Sequence, residues 1–492
     1  MMYEPKRLHP VSAVINFVKG LKDSALPIIA LIFLNGNIFS GGVEWMPLLI
    51  TVGFLLLVLG GGVIRWLRFT YRVEQGELRI EHGLILRKKR YIPFHRIQSL
   101  DFSEGIFHRP FNLVKVSIET AGSSDLQKAE AELTAIKRED ADELETIISR
   151  EKNKRTIEEE GIEEDRVVSS REKVYEMKMK DIVVMAVTSG GAGVVLSGVG
   201  VFASQLTEVL PLDTIYSEFL AWLRIGVLVV AFAAFVILLI AYGISILLTI
   251  FRYANFSVFL DADDLVITRG WLEKKQMTIP LNRIQGLRID ENLIRQPLGY
   301  ASVTLVSAGG AMQQGAEHQL RLLPLIKKKE IENVLHQMIS DYELDVEWNR
   351  PPTRSKRRYI LRHSWFAWVA VIPLSIFLFP YGLLAILAAL AFTGIGFLAY
   401  KDAGWNLSDQ QLTLKSRFIN KQTFVMKRKR IQSAAVTQTI LQKRVDLESI
   451  RVTLKSGVGG AVARCLYLDQ QDTRQMMDWY RPNDTVEKRS DL

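Results

Sequence analysis

The sequence predicts an α+β multi-pass membrane protein: six transmembrane helices in three hairpins, each hairpin followed by a cytoplasmic antiparallel β domain that closes with a C-terminal helix. Three observations predict it. The segment Arg96-Ile97-Gln98-Ser99-Leu100 returns as Arg283-Ile284-Gln285-Gly286-Leu287 and again as Arg430-Ile431-Gln432-Ser433-Ala434, and an internal repeat decides how the rest of a chain is read. The 492 residues are 48% hydrophobic with a mean hydropathy of +0.12, too apolar for a soluble protein that is 23% charged. Paired apolar runs precede each copy of the segment.

The flanks of the segment agree at equal offsets. Leu78, Leu265 and Leu412 lie 18 residues before the motif Arg, each after a polar turn, and Ile106, Leu293 and Ile440 lie 10 residues after it. An alternating apolar strand follows in every copy (Val114, Val116, Ile118; Ala301, Val303, Leu305; Ile450, Val452, Leu454) and runs into a turn at Gly122, Gly309 or Gly457. Copies one and two share Gly83/Gly270, Pro93/Pro280 and Pro110/Pro297. The third has Arg417, Lys427 and Arg444 there, so its turns must be built differently.

In chain order, residues 1–68 hold an amphipathic stretch (Val11, Val14, Ile15, Val18, Leu21) and a first hairpin from the apolar runs 26–39 and 47–67. The amphipathic stretch reads equally well as a surface helix or as an extension of the first span. Residues 69–150 form the first β domain, with a last strand at 129–136 and a helix at 139–150. Residues 151–181 form a charged linker, flexible or helical. The second hairpin occupies 182–250 and the second domain 251–342. A basic juxtamembrane linker at 343–364 leads to the third hairpin at 365–399, the third domain at 400–482 and a polar tail at 483–492. The interhelical loops lack Lys and Arg, whereas Arg65, Arg68, Lys178, Lys180, Arg252, Arg354, Lys356, Arg357, Arg358 and Lys401 flank the hairpins. Both termini and all three domains are therefore expected in the cytoplasm of a cell-membrane protein. Arg224, beside Trp222, is the exception and is assigned to the outer interface, where it can snorkel. Trp45, Trp66, Trp365, Trp368 and Tyr400 fit interfacial belts.

The order of polar turn, Leu, strand, Gly, strand, Ile-Pro-x-x-Arg-Ile-Gln, Pro-containing turn, strand and helix resembles the bacterial pleckstrin-homology (PH) domain family. The residues that carry the resemblance best are Ile92-Pro93-Phe94-His95-Arg96-Ile97-Gln98 and Ile279-Pro280-Leu281-Asn282-Arg283-Ile284-Gln285; Met426 to Gln432 matches without the Pro. Three copies, each behind a hairpin, are similar to the YdbT-type membrane proteins of Gram-positive bacteria. The resemblance implies a bent antiparallel sheet of about seven strands plugged by a helix, and no catalytic activity. It also implies assemblies at the cell membrane, homo-oligomeric or with a smaller single-PH membrane protein, concerned with envelope stress or resistance to membrane-active antimicrobials.

Two residue sets are candidates for binding. Arg96/Gln98, Arg283/Gln285 and Arg430/Gln432 are either an anion grip or a sheet-corner fixture; guanidinium suits the first role, and recurrence in three copies favours the second. The basic clusters Arg87-Lys88-Lys89-Arg90, Lys274-Lys275 and Lys427 to Arg430, with Arg354 to Arg358 as the strongest anchor, either contact anionic headgroups at about 1 kcal/mol per cation or form a solvated charged face beside the membrane. A net charge of +9 points to the inner leaflet rather than to nucleic acid. The single Cys465 sits in an alternating strand pattern and reads as a buried structural thiol. His95 and His108 have no counterparts in the other copies, and Gly190-Gly191-Ala192-Gly193 lies in an apolar span that suits helix packing. No catalytic, metal or cofactor residue is therefore assigned. The expected function is a non-enzymatic membrane scaffold. The alternative is an exporter of a membrane-active compound, which the near absence of ionisable residues in the spans disfavours.

Overall fold

The first two repeats begin with a strand that precedes the helices. In the first, β1 (Lys6–Arg7), α1 (Val11–Asp23) and α2 (Trp45–Leu67) lead into β2 (Thr70–Glu74), β3 (Glu77–His82), β4 (Lys88–Pro93), β5 (Ile97–Glu104), β6 (Leu113–Thr120), β7 (Ala131–Lys137) and α3 (Arg138–Glu160). The second comprises β8 (Glu172–Glu176), α4 (Met179–Thr188), α5 (Val227–Tyr253), β9 (Ser257–Asp261), β10 (Asp264–Arg269), β11 (Lys274–Pro280), β12 (Ile284–Glu291), β13 (Tyr300–Ser307), β14 (Leu320–Lys327) and α6 (Ile331–Met338). The third comprises α7 (Lys356–Phe377), α8 (Leu384–Asp402), β15 (Gly404–Leu407), β16 (Gln411–Arg417), β17 (Lys421–Lys427), β18 (Ile431–Thr437), α9 (Ile440–Lys443), β19 (Leu447–Leu454), β20 (Ala461–Asp469) and α10 (Gln470–Tyr480). This computed structural model describes residues 4–23, 45–83, 86–120, 130–160, 171–189, 227–307, 320–377, 381–456 and 460–481. The run 26–39, the Gly190 to Gly193 segment, the outer loop before α5 with Arg224, the turns at Gly122, Gly309 and Gly457, and the tail 483–492 lie outside them.

The repeats do not close on themselves. Every repeat has an N-terminal half (β2-β3-β4, β9-β10-β11 or β15-β16-β17) and a C-terminal half (β5-β6-β7, β12-β13-β14 or β18-β19-β20), and the halves are shared between neighbours. One sheet runs β7-β6-β5-β11-β10-β9-β8, the next β14-β13-β12-β17-β16-β15, with β1-β2-β3-β4 left at one end and β18-β19-β20 at the other. The cores interlock at the second junction: Val425 of repeat three packs into the core of repeat two, and Val306 of repeat two into that of repeat three. Cys465 is fully buried in the third core, its Sγ 3.8 Å from the carbonyls of Gly404 and Lys415. Burial pushes its pKa up to about 12, which leaves an inert structural thiol.

The segment ahead of each hairpin joins the sheet that follows it. β1 pairs with β2, β8 with β9, and Asn349 forms an antiparallel bridge with Trp405. Glu172–Glu176 is thus a strand, where the charge density suggests a linker, because Tyr175 supplies an apolar contact to the second core and its hydroxyl donates to the Leu325 carbonyl at 2.7 Å. α1 is not a detached surface helix: it packs along α2, where a Cβ on Gly62 would lie 3.1 Å from the Ala13 carbonyl oxygen. Gly396, also 34 residues before its motif Arg, makes the same approach to α7, 2.7 Å from Ile360 Cα. α4 is two-sided. Ile182 and Met185, read from sequence as the start of a span, enter the second core, while Val183 and Val187 face outward. Among the described residues, three segments are long and apolar enough to cross a bilayer: Phe235–Tyr253, Thr353–Phe377 and Leu384–Asp402.

The turns differ where the sequence says they must. Gly83 and Gly270 have φ of +135° and +102°, and a Cβ on either would overlap the carbonyl of Leu86 or Glu273. In the third repeat the buried Arg417 holds the turn from within, donating to Asp402 at 2.6 Å, to the Ile419 carbonyl at 3.2 Å and to Gln296.

The helix contact at Gly396 yields a controlled test. Gly396→Val forces α7 and α8 apart and is expected to cost roughly 1–3 kcal/mol. Gly394→Val, with no atom within 4 Å of its Cβ position, is expected to leave thermal unfolding in detergent unchanged.

Candidate functional site

The Arg-Ile-Gln segment is the corner between the two halves of each repeat. A single 3-10 turn ends on the motif Arg (Phe94–Arg96, Leu281–Arg283, Arg428–Arg430). Its first residue donates to the preceding hairpin turn in all three copies: Phe94 to the Gly76 carbonyl at 3.0 Å, Leu281 to Asp263 at 2.8 Å and Arg428 to Gln410 at 2.8 Å. The motif Ile is buried in every copy. The register then slips at the motif Gln, between Ile97 and Ser99, Ile284 and Gly286, and Ile431 and Ser433. A bulge at each corner bends the strand. Gln285 is buried and donates to the Arg283 carbonyl at 3.0 Å, whereas Gln432 is exposed; the Gln98 side chain lies outside the described residues. Arg96 is exposed, and Arg283 and Arg430 are half-buried. Burial lowers the Arg283 pKa, opposed by Asp264 and Glu119.

The junctions are the second feature, and the sequence reading missed them. Met277 lies opposite Asp101 and Lys274 opposite Glu104; Met426 lies opposite Gly286 and Lys421 opposite Glu291. Both follow one register: a residue k positions after one motif Arg faces the residue k+1 positions before the next. At the end of each junction a glutamate therefore lies opposite a lysine in register, although Glu104 makes its ion pair with Arg138, at 2.7 Å. Lys421 Nζ and Glu291 Oε1 are 2.8 Å apart and buried, with Lys328 at 3.8 Å. Gln422 donates to Asp290 at 3.0 Å. A Cβ on Gly286 would lie 2.9 Å from the Val425 carbonyl oxygen, so the close approach of β17 needs glycine there. In the first junction burial pushes the Asp101 pKa up to about 8, aided by Glu119 and opposed by Lys275 and Arg269, and Oδ1 of Asp101 has no hydrogen-bond partner. The signal that could have revealed the junctions is a lone charge pattern: an acid 8 residues after one Arg and a lysine 9 residues before the next.

Two turns of each repeat lie at the end of the sheets where the helices join them. Trp271 stacks on Phe251 at 5.5 Å and donates its backbone N–H to the Phe251 carbonyl at 2.8 Å, against the last turn of α5. Phe418 meets His363 of α7 at 5.4 Å. These turns expose Leu86, Trp271-Leu272 and Phe418-Ile419. The turns after β5, β12 and β18 expose Ile106-Phe107, Ile294 and Ile440-Leu441, and antiparallel pairing puts Glu104 beside Lys274 at the same end. Arg87, just ahead of β4, and Lys88, Lys89 and Arg90 on it are all exposed, although Glu81 pairs with Arg87 and, at 3.8 Å, with Lys89. The Arg354 to Arg358 cluster is partly engaged inside the protein: Arg354 pairs with Asp469 and donates to the Val445 carbonyl at 3.0 Å, and Arg358 donates to the Leu441 carbonyl. Arg357 stays exposed.

The bacterial PH domain model matches the chain three times, over residues 25–152, 213–339 and 366–484. The UPF0699 transmembrane protein YdbT of Bacillus subtilis (strain 168) is 37% identical over 494 residues, spanning 98% of this chain and 99% of that protein. No solved structure matches the chain.

Two tests follow from the junctions. Lys421→Met strands the buried Glu291 carboxylate and is expected to weaken the second junction by roughly 2–4 kcal/mol, read as faster hydrogen exchange in β17; adding Glu291→Gln should recover most of the loss. Asp101 holds a proton in the folded protein up to about pH 8 but loses it near 4 when unfolded. The native state therefore binds the extra proton in that window, and stability falls as pH rises from about 4 to about 8. Asp101→Asn should flatten that stretch of the Tm-versus-pH curve and raise Tm at its alkaline end.

Proposed function

This chain belongs to the bacterial PH domain family, as a YdbT-type membrane protein with three such domains, and we propose that it is a non-enzymatic scaffold of the cell membrane. On this reading six helices in three hairpins cross the bilayer. Both termini and all three PH-like domains face the cytoplasm, a placement that the charge bias of the flanking segments supports. The domains are held flat against the inner leaflet and present a joined array of sheets to a partner or to further copies. The assembly serves envelope stress or resistance to membrane-active antimicrobials, the role that the family resemblance implies.

The observation that carries this reading is the clustering of exposed apolar turns at one end of every repeat, joined by exposed cations in the first two. Leu86 and Trp271-Leu272 stand beside the hairpin ends with the exposed cations Arg87, Lys88 and Lys274 close behind them in sequence; Phe418-Ile419 stands there too, but Lys421 is buried against Glu291. An apolar side chain next to a bilayer gains by entering the headgroup boundary, and each neighbouring cation adds about 1 kcal/mol against an anionic leaflet. The motif Arg and Gln residues serve this reading as corner fixtures that aim those turns, and the exposed Arg357 adds to the headgroup contacts.

The test is depth. With the fluorophore NBD attached at Leu86→Cys, Trp271→Cys or Phe418→Cys in protein reconstituted with phosphatidylglycerol, doxyl-labelled lipid is expected to quench strongly. The same label at Gln75→Cys, in the turn at the far end of β2, should remain unquenched. Equal quenching at near and far turns would refute the docked array. Substrate flux through the reconstituted protein, with nothing co-purifying in mild detergent, would favour an exporter instead.

A further inference from the structure

Each junction joins the first strand of one C-terminal half to the last strand of the next N-terminal half, so three repeats leave one strand of each kind over. Among the described residues β4 ends its sheet, and so does β18. Burial shows the missing neighbour. Lys89 and Tyr91 are exposed on β4, whereas Thr423 and Val425, at the same distances before their motif Arg, are buried under β12 on β17.

The two free edges differ in chemistry. Where both junctions place a lysine 9 residues before the motif Arg, β4 is led by Arg87, and Lys88, Lys89 and Arg90 follow, with Glu81 on β3 as the carboxylate within ion-pair distance of Arg87 and Lys89. Where both junctions place a glutamate 8 residues after the motif Arg, the third repeat has Gln438, and Ile431–Thr437 carries no charge. Arg451 lies beside Ala435, and Arg464 beside Arg451; both are exposed. A second copy docked by its β4 onto β18 in the junction register would set Arg90 opposite Ala435, next to Arg451, with no carboxylate to answer it.

We propose that the β4 edge is a docking strand for a different polypeptide, one that presents an antiparallel edge strand with carboxylates, above all opposite Arg87. The proposal rests on the scaffold reading and names the kind of partner that reading requires. The main chain of β4 supplies the pairing and its cations the selectivity, as in other strand-addition complexes. Edge lysines and arginines discourage pairing with arbitrary strands, and here the same groups favour an acidic one. The junctions within the chain give both the register and the charge rule.

The test uses full-length protein in mild detergent with Arg90→Cys, the native Cys465 being buried. The probe is a synthetic peptide of residues 284–291 with Arg288→Cys, which in the junction register sets the two cysteines opposite each other, Asp290 opposite Lys88 and Glu291 opposite Arg87. Disulfide capture is expected to exceed that of an Asp290→Lys, Glu291→Lys peptide by about tenfold or more at low salt, with the gap closing as salt rises. A second pair, Lys89→Cys with Ile289→Cys in the peptide, should give the same ratio and guards against a local defect at Arg90. Equal capture of the two peptides, stronger capture at Ala435→Cys on β18, or disulfides between Arg90→Cys of one chain and Ala435→Cys of another would each overturn the proposal. Since the scaffold reading is judged by lipid depth and co-purification, failure here removes the β4 site alone.

Discussion

A strand with a neighbour on one side only leaves a row of N–H and C=O groups that must find partners, and this protein meets that demand by sharing sheets between repeats. β5 takes β11 and β12 takes β17, in one register. Much of the detailed chemistry follows from it. Gly286 is small because a carbonyl of the next repeat lies against it, Glu291 and Lys421 are buried because the sheets close over them, and Val306 and Val425 exchange cores. Asp101 sits at the same kind of seam, where burial makes its ionisation costly.

The hairpins are tied to this array at both ends. A segment before the first helix and a strand after the second pair with one another in each repeat, so the helices enter and leave beside a single sheet half. This arrangement fixes the spacing of the hairpins through the junctions rather than through helix contacts alone. It also explains why the apolar turns of all three repeats share one end: the antiparallel register that joins the halves carries the hairpin ends and those turns to the same side. Main-chain geometry and membrane chemistry thus act on the same elements.

Much of this was legible in the sequence. The repeated pentapeptide located all three corners, and period-2 alternation located the strands that follow them. The absence of Gly and Pro in the third copy foretold a different turn, which Arg417 supplies from a buried position. The bulge at each motif Gln was not legible, because a register slip changes backbone pairing without demanding a residue type; glutamine tolerates it buried in one repeat and exposed in another. Nor were the junctions, since strand pairing between repeats uses groups that every residue carries. Their one side-chain trace is the recurring Glu and Lys, invisible until the copies are aligned one against the next rather than one upon the other. Glu172–Glu176 looked like linker for a related reason: its charges dominate its composition, while Tyr175 secures it.

The shared sheets can be tested directly by a disulfide in the intact protein. Asp290 and Gln422 face each other across β12 and β17, so the pair Asp290→Cys/Gln422→Cys should oxidise readily within one chain in the membrane, as should Ser103→Cys/Lys275→Cys at the first junction. The displaced pair Asp290→Cys/Phe424→Cys should not. Rapid closure of the displaced pair would contradict the shared register, and no closure of either facing pair would mean that the repeats stand apart as separate domains; either result would contradict the account.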